Sequence, residues 1–167
     1  MGKIAVVLAD EFEDVEFSTP KASLVAAGHE VEVIGAESGT VMGKNGTEVC
    51  IDIVVANADP SDYSALLIPG GYSPDHLRTD DGIVEFVASI VKAGLPVAAV
   101  CHAPSLLIEA GVVEGRTMTS WPSIRTDLAN AGATVVDEEV VVDGQFITSR
   151  NPDDLAAFSS ALVDTLM

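Results

Sequence analysis

Apolar and polar residues along this chain keep two rhythms, one of strands and one of helices. The run KIAVVLA, Lys3 to Ala9, is apolar and bounded by charge, as a strand buried on both faces must be. From Asp14 to Ala27 the pattern turns helical, with Ser18-Thr19-Pro20 placed to cap a helix and Gly28 to stop it. HEVEVIG, His29 to Gly35, alternates with the period of two of a second strand. Strand, helix and strand at this spacing predict a βαβ unit, hence a parallel sheet with a right-handed crossover. The rhythm breaks from Ala36 to Asn45, where Gly39 and Gly43, with Gly46 just beyond, predict a hairpin or loop excursion.

The strand rhythm returns in YSALLIPGG, Tyr63 to Gly71, which ends in a Pro-Gly-Gly turn. Asp80 to Ala93 sets Ile83, Phe86, Val87, Ile90 and Val91 on one helical face, and Gly94 ends it. Pro96 to Val100 is the next strand. Helices are expected over Ala103 to Ala110 and Trp121 to Ala131, closed by Gly111 and Gly132. A short strand, Ala133 to Val136, precedes a hairpin from Glu139 to Ser149 around Asp143-Gly144. Pro152 to Leu166 is a last helix, capped by Asn151 or by the acids of its first turn.

This alternation predicts one α/β domain over residues 1–167, a flavodoxin-like three-layer sandwich with a mostly parallel sheet covered on both faces. Working groups in such folds sit at the carboxyl ends of the strands. Three stretches fall there: the Asp10 to Glu16 loop, the Gly70-Gly71 turn and Cys101-His102.

Charge narrows the partners. Eight basic residues face 26 acidic ones, a net charge of -18. Such a surface repels nucleic-acid phosphates and anionic lipid, so neither is an expected partner. No apolar run is long enough to span a membrane, and the first apolar run reads as a core strand, not a signal peptide. A soluble, cytoplasmic protein is the expectation. The acids are dispersed, not gathered in a tail, which suggests adaptation to high salt, where self-repulsion is screened.

Two cysteines are present, Cys50 and Cys101, in no metal-ligand spacing, and no His pair has such spacing either. No metal or other cofactor is expected. The glycines of the Ala36 to Asn45 stretch do not fit a dinucleotide fingerprint, and Gly43-Lys44-Asn45 lacks the hydroxyl residue of a phosphate loop. Cys50 reads as a small core hydrophobe. Cys101 stands where an apolar strand turns into a helix, the setting of a nucleophile elbow. There the sulfur lies near a helix N-terminus, which favours thiolate. The His102 N–H is placed to stabilise an oxyanion, and Gly71 in the neighbouring turn can supply a second N–H. The alternative is a buried cysteine that happens to precede a histidine. His102 itself need not face the sulfur, because adjacent side chains on a turn diverge.

The stretches ADEFEDVEFSTP, GHEVEV, ALLIPGGYSPDHLR, VAAVCHAPSLLIEAGVVEGRTMTS, IRTDLANAGA and EVVVDGQFITSRNPDDLAAF carry a resemblance over nearly the whole chain. It is to the PfpI family of intracellular cysteine peptidases and deglycases, in the ThiJ/PfpI superfamily related to class I glutamine amidotransferases. The resemblance implies Cys101 as nucleophile, His102 as its catalytic neighbour and Glu16 as the acid that hydrogen-bonds the sulfur. Glu13 matches a second acid of that loop. Asp75 stands where the peptidase members place a Glu that reaches the His from an adjacent subunit, one methylene short here. The resemblance also implies a homo-oligomer, a dimer or a hexamer, with Tyr72, His76, Trp121 and Arg150 as pocket candidates. Gly70 joins Gly71 and His102 as an oxyanion or substrate contact.

Three functions follow from this resemblance. The first is a stress-protective deglycase or glyoxalase acting on small carbonyl adducts through a cysteine thiolate. The second is a peptidase working on short peptides through an acyl-enzyme. The third is a non-enzymatic redox sensor. Ammonia transfer is not expected, because the amidotransferase relatives keep their catalytic His far downstream. The charge pattern makes its own prediction: the thermal unfolding midpoint climbs between low and molar salt. Full stability at low ionic strength, unchanged by molar salt, contradicts the salt-adapted reading.

Overall fold

The computed structural model describes residues 1–167. The chain opens with β1 (Lys3–Val7), α1 (Asp14–Ala26) and β2 (Glu30–Gly35). A small hairpin follows, β3 (Thr40–Met42) and β4 (Glu48–Cys50), then a two-residue strand, β5 (Ile53–Val54). β6 (Ala65–Ile68) leads through the Gly70-Gly71 turn into α2 (Ser73–Leu77) and α3 (Asp81–Lys92). β7 (Val97–Val100) turns at Cys101 into α4 (Pro104–Glu109). β8 (Thr117–Met118), α5 (Arg125–Asn130) and β9 (Thr134–Val135) form an excursion. The antiparallel pair β10 (Val141–Asp143) and β11 (Phe146–Ser149) precedes α6 (Leu155–Thr165).

Seven strands form one sheet in the order β10-β11-β7-β6-β1-β2-β5, and every pairing except β10 with β11 is parallel. The three-layer α/β sandwich expected from the sequence is therefore present. Successive residues of a strand point to opposite faces, so each central strand feeds two cores. Ala5, Val7, Leu66, Ile68, Val97 and Ala99 join Ile83, Phe86, Val87 and Ile90 of α3 and Leu106 and Leu107 of α4. Ile4, Val6, Leu67, Ala98, Val100 and Ile147 join Phe17 and Leu24 of α1 and Phe158 and Leu162 of α6. No helix is long and apolar enough to cross a membrane.

Three expectations need correction. Ser18-Thr19-Pro20 does not cap a helix: α1 begins at Asp14 and holds Pro20 in its interior. Proline cannot donate to the carbonyl four residues back, here that of Glu16. Tertiary bonds override that local break, because Asp14 accepts from the Asn45 and Thr47 N–H groups and Glu16 from Gly70. Cys50 is not core: the β3–β4 hairpin stands off the main sheet and leaves it exposed. Pro74-Asp75, an ordinary turn by sequence alone, lies instead in a short helix, Ser73–Leu77, with Pro74 in its first turn.

Leu67 is fully buried between β1 and β7, opposite Val6 and Ala98. Leu67→Ala is expected to lower stability by about 3 kcal/mol. Urea unfolding checks this, and a loss below about 1 kcal/mol contradicts close packing of the sheet against α1 and α6.

Candidate active site

β7 delivers Cys101 to the carboxyl edge of the sheet, where the backbone turns sharply. Cys101 has φ +63°, a left-handed conformation that an L-residue adopts at a cost. Neighbouring backbone holds it there. The Cys101 N–H donates to the Ser149 carbonyl at 3.0 Å, and the Cys101 carbonyl accepts from the Trp121 N–H at 3.0 Å. The elbow is thus tied to β11 on one side and to the loop before α5 on the other. α4 has only six residues and starts at Pro104, so its dipole adds little. The N–H groups of His102 and Gly71 act on the sulfur directly.

Two glycines make room for a buried acid. Glu16 lies in the first turn of α1 and is 0% exposed. Its Oε1 accepts the Gly70 N–H at 2.9 Å. A Cβ on Gly70 would sit 2.5 Å from that oxygen and 2.8 Å from the Val100 carbonyl. Gly71, at φ +73°, runs against the Glu11 to Glu13 backbone, and a Cβ there would meet Glu11 O and Glu13 N at 2.5 Å. Oε2 of Glu16 is buried with no hydrogen-bond partner, and the Cys101 thiol is the side chain that favours its charged form.

Burial pushes the Glu16 carboxyl up to about 8, opposed by the Gly70 hydrogen bond and reinforced by the charge of Glu13. Burial pushes the Cys101 thiol up as well, to about 12, and a charged Glu16 adds to the rise. The His102 and Gly71 N–H groups pull it back down. A charge on Glu16 raises the thiol further, so the two groups titrate as a coupled pair.

Above the sulfur opens a pocket of about 400 Å³, lined by Glu13, Glu16, Lys44, Gly71, Tyr72 and Cys101, with His102, Trp121 and Pro152. The His102 ring is stacked between Tyr72 (centroids 6.4 Å apart) and Trp121 (6.0 Å). Burial and the Lys44 charge hold its pKa below the ordinary value, against the pull of Asp75, so the imidazole is neutral at neutral pH.

The structure gathers Cys101, His102, Glu16, Glu13, Gly71, Tyr72 and Trp121 at one place. Gly70 lies beneath it with its N–H already given to Glu16. Asp75 is exposed on α2 and does not line the pocket; within the chain it reaches His102 through its charge alone. His76 pairs with Glu11 at 2.9 Å and lines a different cavity. Arg150 is spent on structure, bonding Asp154 at 2.9 and 3.0 Å and Asp137 at 3.1 Å. Sequence reasoning missed Lys44 and Pro152. A lysine in a glycine-rich turn, in a chain with so few cations, was the available signal for Lys44. No cluster of three or more His, Cys, Asp or Glu side chains is placed to hold a metal ion.

The buried acid sets a test. A carboxyl whose folded pKa lies above its ordinary 4.5 favours the folded state fully below that value. It loses this contribution as pH rises through about 8. Glu16→Gln cannot ionise, so the stability of the native protein relative to this variant should fall steadily over that interval. Urea unfolding across the interval reads it, and a constant difference contradicts a neutral Glu16.

Comparison with known proteins fits this geometry. Residues 2–165 match the DJ-1/PfpI family model. An uncharacterized protein of Staphylococcus saprophyticus is 48% identical over 167 residues, covering 98% of this chain and 97% of that one. DJ-1beta of Drosophila melanogaster superposes with a TM-score of 0.91 at 30% identity, over 99% of this chain and 90% of that one. A two-domain protein of Anabaena variabilis, with DJ-1/ThiJ/PfpI-like and ferritin-like domains, gives a TM-score of 0.97 at 40% identity. That match covers 99% of this chain but 48% of the Anabaena one, so the chain spans about half of that relative. With its cysteine elbow, buried glutamate and paired glycines on a parallel sheet, this chain belongs to the DJ-1/PfpI family.

Proposed function

We propose that this protein is a cysteine-dependent enzyme of small electrophilic carbonyl compounds, of the deglycase or glyoxalase type. The observation that carries the reading is the fully buried Glu16, its pKa raised to about 8, acting on the Cys101 thiol. When the pair gives up its first proton, the charge is better placed on sulfur than on the carboxyl. Sulfur then faces two backbone N–H groups, of His102 and Gly71, and the retained Glu16 proton, whereas a carboxylate at Glu16 has one backbone N–H, from Gly70, with the Cys101 thiol and the Lys44 charge. The product is a nucleophile beside a neutral acid, the combination that addition to an aldehyde needs.

For methylglyoxal the steps balance without a redox partner. The thiolate bonds to the aldehyde carbon, the C=O π pair moves to oxygen, and oxygen takes a proton, giving a hemithioacetal. A base removes the proton on that carbon, the electron pair moves to the adjacent ketone, whose oxygen takes a proton to give an enediol, and the ketone carbon is then protonated as the first hydroxyl loses its proton and becomes the thioester C=O. The resulting lactoyl thioester is cleaved by water to lactate and free thiol. Glu16 and His102 are the groups within the pocket that exchange protons, and His102 is neutral for the task.

A pocket of about 400 Å³ suits a small molecule better than an extended peptide. His102 has no carboxylate hydrogen-bonded to it within the chain, as a peptidase His would require. Asp75 stays in the proposal as an exposed carboxylate able to serve a second subunit of a homo-oligomer. The test is lactate formation from methylglyoxal by the native protein, Cys101→Ala and Glu16→Gln. Cys101→Ala should abolish turnover, and Glu16→Gln should lower kcat at least about 100-fold. Absence of turnover by the native protein, or turnover that survives Cys101→Ala, removes this reading and leaves peptide hydrolysis and redox sensing.

A further inference from the structure

We infer that Lys44 is a substrate-selecting residue, seating a carboxylate beside the electrophilic carbon that Cys101 attacks. The substrate class is then a small carbonyl compound carrying its own carboxylate, an aldehydo acid. The substrate class rests on the carbonyl reading above; the anion seat rests on geometry alone.

Lys44 sits at the tip of the β3–β4 hairpin, and its placement is built. Its N–H donates to the Phe12 carbonyl at 2.9 Å. The buried Asp14 carboxylate accepts the Asn45 N–H at 2.9 Å and the Thr47 N–H at 3.0 Å, fastening the tip to the start of α1. A Cβ on Gly43 would fall 2.4 Å from Asp14 Oδ1, so the turn closes only around glycine. This fastening brings Nζ to 3.1 Å from Glu13 Oε2 and 5.9 Å from the Tyr72 ring centroid, on the wall of the pocket that holds Cys101.

Charge gives the placement a purpose. Lys44 is the cation of that pocket, in a chain whose net charge of -18 repels small anions from every side. Glu13, the other charged group of the wall, holds Lys44 now and makes the pair close to neutral. An incoming carboxylate takes up Nζ hydrogen-bond donors that Glu13 does not use, since an ammonium has three. With the carboxylate on Lys44, a carbonyl carbon one bond away is presented to the sulfur. The thiolate forms the S–C bond, the C=O π pair goes to oxygen, and oxygen takes a proton.

The experiment compares two alkylating agents that attack the same sulfur, anionic iodoacetate and neutral iodoacetamide, in Cys50→Ser protein. Taking the ratio of the two rates cancels any change in the nucleophile itself and reads the charge around it. Lys44→Met should lower the iodoacetate-to-iodoacetamide ratio about tenfold, and Lys44→Arg should keep most of it. Glu13→Gln, which frees the ammonium, should raise the ratio. A structural role for Lys44 would not move these variants in opposite directions. A ratio unchanged in Lys44→Met overturns the anion seat, whatever methylglyoxal does. Glyoxylate protection of Cys101 against iodoacetamide, weakened at least about fivefold in Lys44→Met, supports the substrate class, and protection equal in both proteins overturns it. Failure of methylglyoxal turnover with the ratio behaving as stated removes the carbonyl reading and the substrate class, and leaves the seat.

Discussion

Burying a carboxyl at the base of a pocket costs free energy that only a retained proton or a matched partner offsets. Glu16 meets that cost with one backbone N–H, from Gly70, and with its own proton, which burial holds on well above the usual carboxylate range. Much of the local structure follows from this arrangement. Gly70 cannot carry a side chain because the Glu16 oxygen and the Val100 carbonyl occupy the space. α1 must begin early enough to put residue 16 in its first turn, which forces Pro20 into its interior. The acid also shapes the chemistry, since a neutral Glu16 leaves the sulfur as the place where a single negative charge is best received.

The rest of the frame holds this pair rigid. β7 and β11 run in parallel register from Phe146 against Val97 to Ser149 against Val100, and the residue that follows β7 is the strained Cys101. Its backbone bonds to Ser149 and Trp121 keep the elbow from relaxing. The two faces of the central sheet are filled by separate apolar clusters, so the strand ends move little relative to each other. Function then sits on the loops at one edge, while the core supplies position.

The sheet was legible because its strands are nearly pure in type. Runs such as IAVV, ALLI and VAAV admit few readings once glycines and prolines bracket them. Cys101 was legible for the same reason, since a polar thiol at the end of such a run stands out. What stayed hidden depends on contacts distant in sequence. Pro20 reads locally as a helix start, and only the bonds of Asp14 and Glu16 to distant loops move that start upstream. Cys50 lies in an alternating run that looks like core, yet its hairpin packs beside the sheet and leaves it exposed. Lys44 reaches the pocket only because Asp14, about 30 positions away, ties down its turn. Arg150 follows a strand that lines the elbow, but two nearby aspartates claim its guanidinium. Asp75 rested on resemblance alone, and its side chain lies outside the pocket of its own chain.

The central claim is that the first charge of the Glu16–Cys101 pair resides on sulfur. Ultraviolet thiolate absorbance, followed with pH in Cys50→Ser protein and in Cys50→Ser/Cys101→Ser protein, measures it most directly. One thiolate should appear well below pH 12 and be lost from the double variant. A thiolate that appears only near pH 12 would place the first charge on Glu16 and contradict the account.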